Sequence, residues 1–202
     1  MMLTLRAAAC GLALAAYISP LFAQSNHVHS HEAESAGPPS DESIYVLRTR
    51  LEAAGRGELT LPSLAGRPVV IAMFYSSCTS VCPLLTLRMQ RIEAALKPED
   101  RDRVQFVMVS LDAERDTPAQ LAVFAGEHHL DASRWIIGHA DAGDVRTLAA
   151  ALGVRYRQLP DHSFSHSAVI TLLDARGVPR ARTQIIGADD PAFLASLNAQ
   201  IH

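Results

Sequence analysis

Two cysteines, Cys78 and Cys82, stand three residues apart in the stretch FYSSCTSVCPLLT, residues 74–86. Thiols at this spacing can form a redox couple, hold a soft metal ion or fill a core. Their surroundings favour chemistry. Ahead of them runs PVVIAMFY, a continuous, β-branched apolar run that predicts a strand buried on both faces. Behind them Leu84, Leu85, Leu87, Met89, Ile92, Ala95 and Leu96 predict a helix over about 81–96. Cys78 then lies just past the carboxyl end of a buried strand, and Cys82 lies in the first turn of the next helix. Open α/β sheets gather ligands at such ends, and the helix N-terminus favours thiolate over thiol. The spacing permits a disulfide and also leaves room for a metal between sulfurs about one helical turn apart. Two thiolates suit Cu(I), and an imidazole would complete a trigonal site.

The candidate imidazoles are in PDHSFSHSAVITLLD: His166 at the start of a predicted strand and His162 several residues before it. An ordinary thioredoxin-like dithiol enzyme would place a proline immediately before this strand, facing the dithiol. Here Ser165 and His166 occupy the junction and the nearest proline is Pro160, which weakens a general oxidoreductase reading. Asp112 and Asp116, in SLDAERDTP, follow the second predicted buried strand, VQFVMVSLD, so their loop can rim the same site. Helix capping is an equally good use for Asp116. His128, His129 and His139 lie in polar loop or helix-end contexts and receive no role.

The remaining chain supplies the frame. SIYVLRTRL predicts a strand, and GRGELTLPSLAGRP a short strand between turns. DTPAQLAVFAGEHH predicts a helix, with Thr117 as N-cap, Pro118 at its first position and Gln120 completing a capping box. DAGDVRTLAAALGV predicts another, stopped by Gly153. HSAVITLLDARGVPRARTQIIG predicts two strands joined at Arg176–Gly177, and DDPAFLASLNAQI a closing helix. Strands alternating with helices, then a hairpin and a helix, predict an α/β fold: a mixed central sheet flanked by helices.

With 202 residues, 49% of them hydrophobic, the chain can fill the core of one domain. A net charge of −3 without a basic block excludes a nucleic-acid surface. At the N-terminus MMLTLR, AAACGLALAAYIS and PLFA have the three regions of a signal peptide over residues 1–23, cleaved after Ala23. The rival reading is an uncleaved anchor, although Pro20 cuts the apolar run short of the ~20 residues a span needs. Cys10 would leave with the leader, so the exported protein keeps only Cys78 and Cys82, in a compartment that permits disulfides. Residues 24–42 predict a disordered tether in which His27, His29 and His31 alternate, a pattern that can catch divalent copper, nickel or zinc. The folded domain is expected over 43–202.

Three pieces of the chain, LAGRPVVIAMFYSSCTSVCP, VSLDAERDTPAQL and HSAVITLLDARG, occur in an order and at separations that resemble the Sco/SenC family over about residues 44–199. The members are thioredoxin-fold factors tied to copper delivery for cytochrome c oxidase. The resemblance implies a thioredoxin-like fold, with Cys78 and Cys82 as copper-binding thiols that can also act as a redox-active, disulfide-forming pair. It selects His166 as the third ligand, because Asp174 falls where the family's Leu-Asp follows His-Ser-Ala, a spacing His162 lacks. Asp112 and Asp116 match a partner-facing or site-adjacent loop, and Thr79 replaces the proline usual after the first cysteine. The implied function is that of a periplasmic metallochaperone, rather than an enzyme, carrying Cu(I) or Cu(II). Its partners would be the apo copper-centre subunit of cytochrome c oxidase, or another periplasmic cuproprotein, and a thiol reductase. Copper loading would be gated by the redox state of Cys78 and Cys82. Two other functions are open: a thiol–disulfide oxidoreductase that keeps a partner's copper-ligand cysteines reduced, and a periplasmic copper buffer or sensor. Membrane association is expected only with an uncleaved leader.

Overall fold

The strands form a mixed seven-stranded sheet and, apart from it, a two-stranded one. The computed structural model describes residues 42–79 and 81–202. The leader with Cys10 and the tether with His27, His29 and His31 lie outside the described residues. In chain order the strands are β1 (Arg50–Ala53), β2 (Gly57–Thr60), β3 (Val69–Phe74), β4 (Gln105–Ser110), β5 (Trp135–His139), β6 (Tyr156–Gln158), β7 (Phe164–His166), β8 (Ile170–Leu173) and β9 (Pro179–Thr183). The helices are α1 (Val81–Ala95), α2 (Pro98–Arg101), α3 (Pro118–Glu127), α4 (Ala142–Leu152) and α5 (Pro191–Ile201). The large sheet runs β2-β1-β5-β4-β3-β8-β9. Its three middle strands, β5, β4 and β3, are parallel, and antiparallel strands complete both edges.

Every residue of β3 and of β4 is buried, as their unbroken apolar runs predict for strands covered on both sides. Alternate side chains serve two cores. Val70, Ala72, Phe74, Phe106 and Met108 pack with Leu85, Met89 and Ile92 of α1, Leu121 and Phe124 of α3, and Phe193 and Leu197 of α5. Val69, Ile71, Met73, Val107 and Val109 pack with Val145, Leu148 and Leu152 of α4 on the other face. Each of these side chains except that of Ala72 contributes about 1.5–3 kcal/mol by leaving water. The fold is the expected thioredoxin-like α/β sandwich. Its helices start and stop where the sequence signals them. Thr117 Oγ1 accepts the Gln120 N–H at 3.3 Å, Asp190 accepts the Phe193 N–H at 3.1 Å, and Gly153 ends α4 in the left-handed region at φ 73°.

The structure departs from the sequence reading in several places. SIYVLRTRL is a strand only from Arg50; Ile44–Leu47 is a 3₁₀ turn. Ser43 caps the turn, its Oγ accepting the Tyr45 N–H at 3.2 Å, and Arg48 N–H closes it on the Tyr45 carbonyl at 3.2 Å. The turn is pinned to the β8–β9 hairpin. Ile44 N–H donates to the Gly177 carbonyl at 3.0 Å, and the Tyr45 ring lies where a Cβ on Gly177 would meet it at 2.5 Å. Gly177 also sits at φ 81°, so glycine is required there twice over. The sequence reading assigns no element to β5, β6 or α2: WIIGH is short and follows a polar loop, and the other two run to three and four residues. His166 does not open β8. It ends β7, which pairs with β6, and Ser167 N–H carries that pairing one residue further to the Arg155 carbonyl at 2.8 Å, three residues before β8 begins at Ile170. Among the described residues no helix is long and apolar enough to cross a membrane.

Candidate metal centre

β3 delivers the chain into the elbow that carries the thiols. After Phe74 a short turn bonds Cys78 N–H to the Tyr75 carbonyl at 3.3 Å, and α1 then begins at Val81. The Cys82 N–H points at Cys78 Sγ, 3.4 Å away, so the first sulfur sits over the amino end of α1, where partial positive charge favours its anion. Cys82, one turn on, is 1% exposed and faces the core. Burial pushes the Cys82 thiol well up, against the opposing pull of the Tyr75 backbone N–H.

Asp116 fixes this elbow from below. Its carboxylate accepts the Ser76 N–H at 2.9 Å and bonds the hydroxyls of Ser76 and Ser110. The loops after β3 and β4 are thus tied through one buried anion, and Leu111 N–H adds a bond to the Phe74 carbonyl at 2.7 Å. Asp116 is therefore a cross-tie; Thr117 is the cap of α3.

The small sheet brings the nitrogen. Tyr156 is the register partner of His166, and the imidazole Nε2 lies 3.3 Å from Cys82 Sγ. Nδ1 lies 3.3 Å from the Ser167 carbonyl, which can only accept. That contact places the proton on Nδ1 and leaves the Nε2 lone pair facing the sulfur, the tautomer a metal ligand needs. Burial holds the His166 pKa below its ordinary value, only partly offset by the Ser167 carbonyl, so the ring is neutral at neutral pH.

One residue of the site was missed by the sequence reading. Tyr75, 6% exposed, donates its hydroxyl to the Phe164 carbonyl at 3.2 Å and sets its ring edge-on to Phe164 and His166. Burial first, and the neighbouring Cys78 thiol second, raise its pKa, so the phenol stays a donor. The only sequence signal was an aromatic residue directly after a buried strand, which equally suits a core position.

The other candidates are elsewhere. His162 occupies a tight turn at φ 61°, and its carbonyl accepts from Arg115. Asp112 is buried and holds Arg115 by an ion pair. Asp174 turns the β8–β9 hairpin, accepting the N–H groups of Arg176 and Val178 and two bonds from Arg180. His139 faces Glu52 at 3.4 Å, and the His128 ring packs on Phe124.

Cys78 Sγ, Cys82 Sγ and a His166 ring nitrogen all lie within 4.8 Å of one another. First-row metal–sulfur and metal–nitrogen bonds run about 2.0–2.3 Å, so one ion can reach all three donors after small side-chain rotations. Two sulfurs and a neutral imidazole make a soft, three-donor set.

The chain matches the family model SCO1/SenC over residues 53–199. A Stutzerimonas stutzeri protein, provisionally named as copper-binding, is 27% identical over 119 residues, 57% of each chain. The SCO1 protein homolog of Bacillus subtilis is 32% identical over 77 residues, 38% of this chain and 39% of the relative. The alignments thus span about half the length of these curated relatives or less. Among solved structures, Bradyrhizobium japonicum ScoI with copper bound superposes at a TM-score of 0.65 with 23% identity, covering 75% of this chain and 96% of that one. With its sheet order, its elbow dithiol and the histidine on the following hairpin, the chain belongs to the SCO1/SenC family.

Proposed function

We propose that the protein is an exported copper carrier that holds one ion through Cys78, Cys82 and His166. It would pass that ion to an apo copper centre such as that of cytochrome c oxidase. The observation that carries this reading is the convergence of the three donors within 4.8 Å, with the Nε2 lone pair of His166 facing Cys82. The donor set selects the cargo: paired thiolates favour Cu(I), and a neutral imidazole helps retain Cu(II). The copper named for the S. stutzeri relative and bound in B. japonicum ScoI supports the same choice.

The side chains divide the work. Cys78, at the amino end of α1, is 7% exposed against 1% for Cys82, so it is the sulfur nearer water and would be the first to meet incoming ions and competing thiolates. Cys82, buried and hard to ionise, is the anchor, and its proton would leave as metal binds. His166 closes the third position and opens it again for handover. Each incoming donor would replace one already bound, so the ion need never be released to water. A disulfide between Cys78 and Cys82 would remove both sulfur donors, which gates loading by redox state and calls for a thiol reductase. Export through residues 1–23 into the periplasm fits both the dithiol and its recipient.

The test is to mix the reduced, copper-loaded protein with an apo oxidase copper-centre domain and follow the metal by absorption and mass. Transfer of one ion per protein is the expected result. A buffer would retain its copper, and an oxidoreductase would reduce the recipient's disulfide without moving metal.

A further inference from the structure

The His166 hairpin has no strand partner in the seven-stranded sheet, so no backbone ladder joins the nitrogen donor to the sulfur donors. Two polar contacts reach the hairpin from the loops that follow the buried strands. From the elbow after β3, the Tyr75 hydroxyl donates to the Phe164 carbonyl at 3.2 Å. From the loop after β4, Arg115 donates through Nη2 to the His162 carbonyl, while buried Asp112 grips its Nε. Both acceptors are backbone carbonyls, so they fix the path of the chain leading to His166 irrespective of the side chains on it. Both donors start from loops joined by Asp116, the loops that also hold Cys78. Apolar packing of Phe164 adds attraction without direction; the two hydrogen bonds supply the direction.

We propose that Tyr75 and Arg115 form a two-point clamp on the hairpin, and that this clamp sets how long His166 stays on the metal during handover. The proposal rests on the copper reading of the site. Tyr75 and Arg115 are positioning residues, since the metal is held by the sulfurs and the imidazole. In the exchange step the Nε2–metal bond breaks with its lone pair returning to the ring, an incoming donor brings its own pair, and the oxidation state of copper is unchanged. The hairpin must swing for this to happen. A clamp made of hydrogen bonds to carbonyls gives that swing a defined cost and a defined return position.

Two measurements on the whole protein test the clamp, using Tyr75→Phe, which keeps the ring, and Arg115→Met, which changes an exposed side chain. The first needs no metal. Amide exchange at Leu159 and Ser167, whose N–H groups close the hairpin, should quicken about tenfold in each variant, the weight of about one hydrogen bond. Exchange in β3 and β4 should not change. Equal hairpin exchange in wild type and variants, or faster exchange throughout, overturns the clamp. The second measures release of Cu(I) to a selective chelator. Release should also quicken about tenfold in each variant, and Tyr75→Phe should add nothing once His166→Ala has removed the third ligand. The same acceleration with and without His166 would mean that Tyr75 acts through Cys78, and overturns the proposal. A wild-type protein that takes up no copper overturns the copper reading, and amide exchange then decides the clamp by itself.

Discussion

Cys78 and Cys82 follow β3, a strand buried at all six residues, with parallel β4 on one side and antiparallel β8 on the other. His166 stands on a hairpin of two three-residue strands, half-buried to exposed throughout. The same centre is thus built half on the most constrained part of the molecule and half on one of the least constrained. In the proposed carrier this inequality has a use. Donors fixed by the core would keep the ion, and a donor on a lightly held hairpin could leave it without disturbing the fold.

The sharpest attack on this comparison is at the fixed half. Cys82→Ser replaces a soft donor with a hydroxyl that copper(I) does not favour. Structural metal sites with four ligands gain about 10–16 kcal/mol in all, so losing one donor costs roughly 3 kcal/mol, or a few hundredfold in affinity. Competition titration against a Cu(I) chelator should show it, and near-normal affinity would remove Cys82 from the ligand set. His166→Ala should cost less for Cu(I), about tenfold to a hundredfold. It should nevertheless abolish most of the Cu(II)–thiolate absorption, while reduction of a small disulfide by the dithiol persists. His162→Ala is the control, close to neutral, because that residue meets the clamp through its backbone alone.

Proton release separates the halves again. Because burial raises the Cys82 thiol and lowers the His166 imidazole, the metal-free site is expected to hold the Cys82 proton and a neutral ring near pH 7. Copper uptake should then expel the Cys82 proton, measurable with a dye in weak buffer, and affinity should rise with pH. At the acid end the third ligand is lost as pH falls through the depressed His166 value, below its ordinary 6.5. The sign for metal-free stability is opposite for the two groups. The contribution of Cys82 is complete below the ordinary thiol range and fades as pH rises through its raised value, whereas that of His166 is complete above the ordinary imidazole range and fades with acid. The smallest effect is expected from deleting residues 24–42. Tight Cu(I) binding should be unchanged, because imidazoles on a tether must first be ordered, while a weaker Cu(II) site is removed. Loss of the tight site on deletion would relocate the copper.

The sheet, its two cores and the elbow were legible because each rests on local pattern. Unbroken apolar runs mark β3 and β4, Thr117–Pro118 and Gly153 mark helix ends, and the cysteines fall between a strand and a helix. The thioredoxin-like topology and the choice of His166 over His162 came from resemblance, since no spacing rule relates His166 to residues 84 positions earlier. What escaped was set by contacts distant in sequence. Ile44–Leu47 is a 3₁₀ turn because Gly177, more than a hundred residues later, offers a surface for Tyr45. Tyr75 belongs to the site because its hydroxyl meets a carbonyl 89 positions along the chain. Asp116 looked like a cap, and only folding shows that its carboxylate joins two loops.

The docking of Ile44 and Tyr45 on Gly177 also decides which way the three donors face. The Arg176–Gly177 turn follows Leu173, the register partner of Val69, so it lies at the amino end of β3, whereas the thiols follow Phe74 at the other end. A six-residue strand spans about 20 Å. The chain therefore enters the domain at one pole and presents its three donors at the opposite one. The described chain thus begins on one side of the sheet, and the proposed carrier would hold its ion on the other.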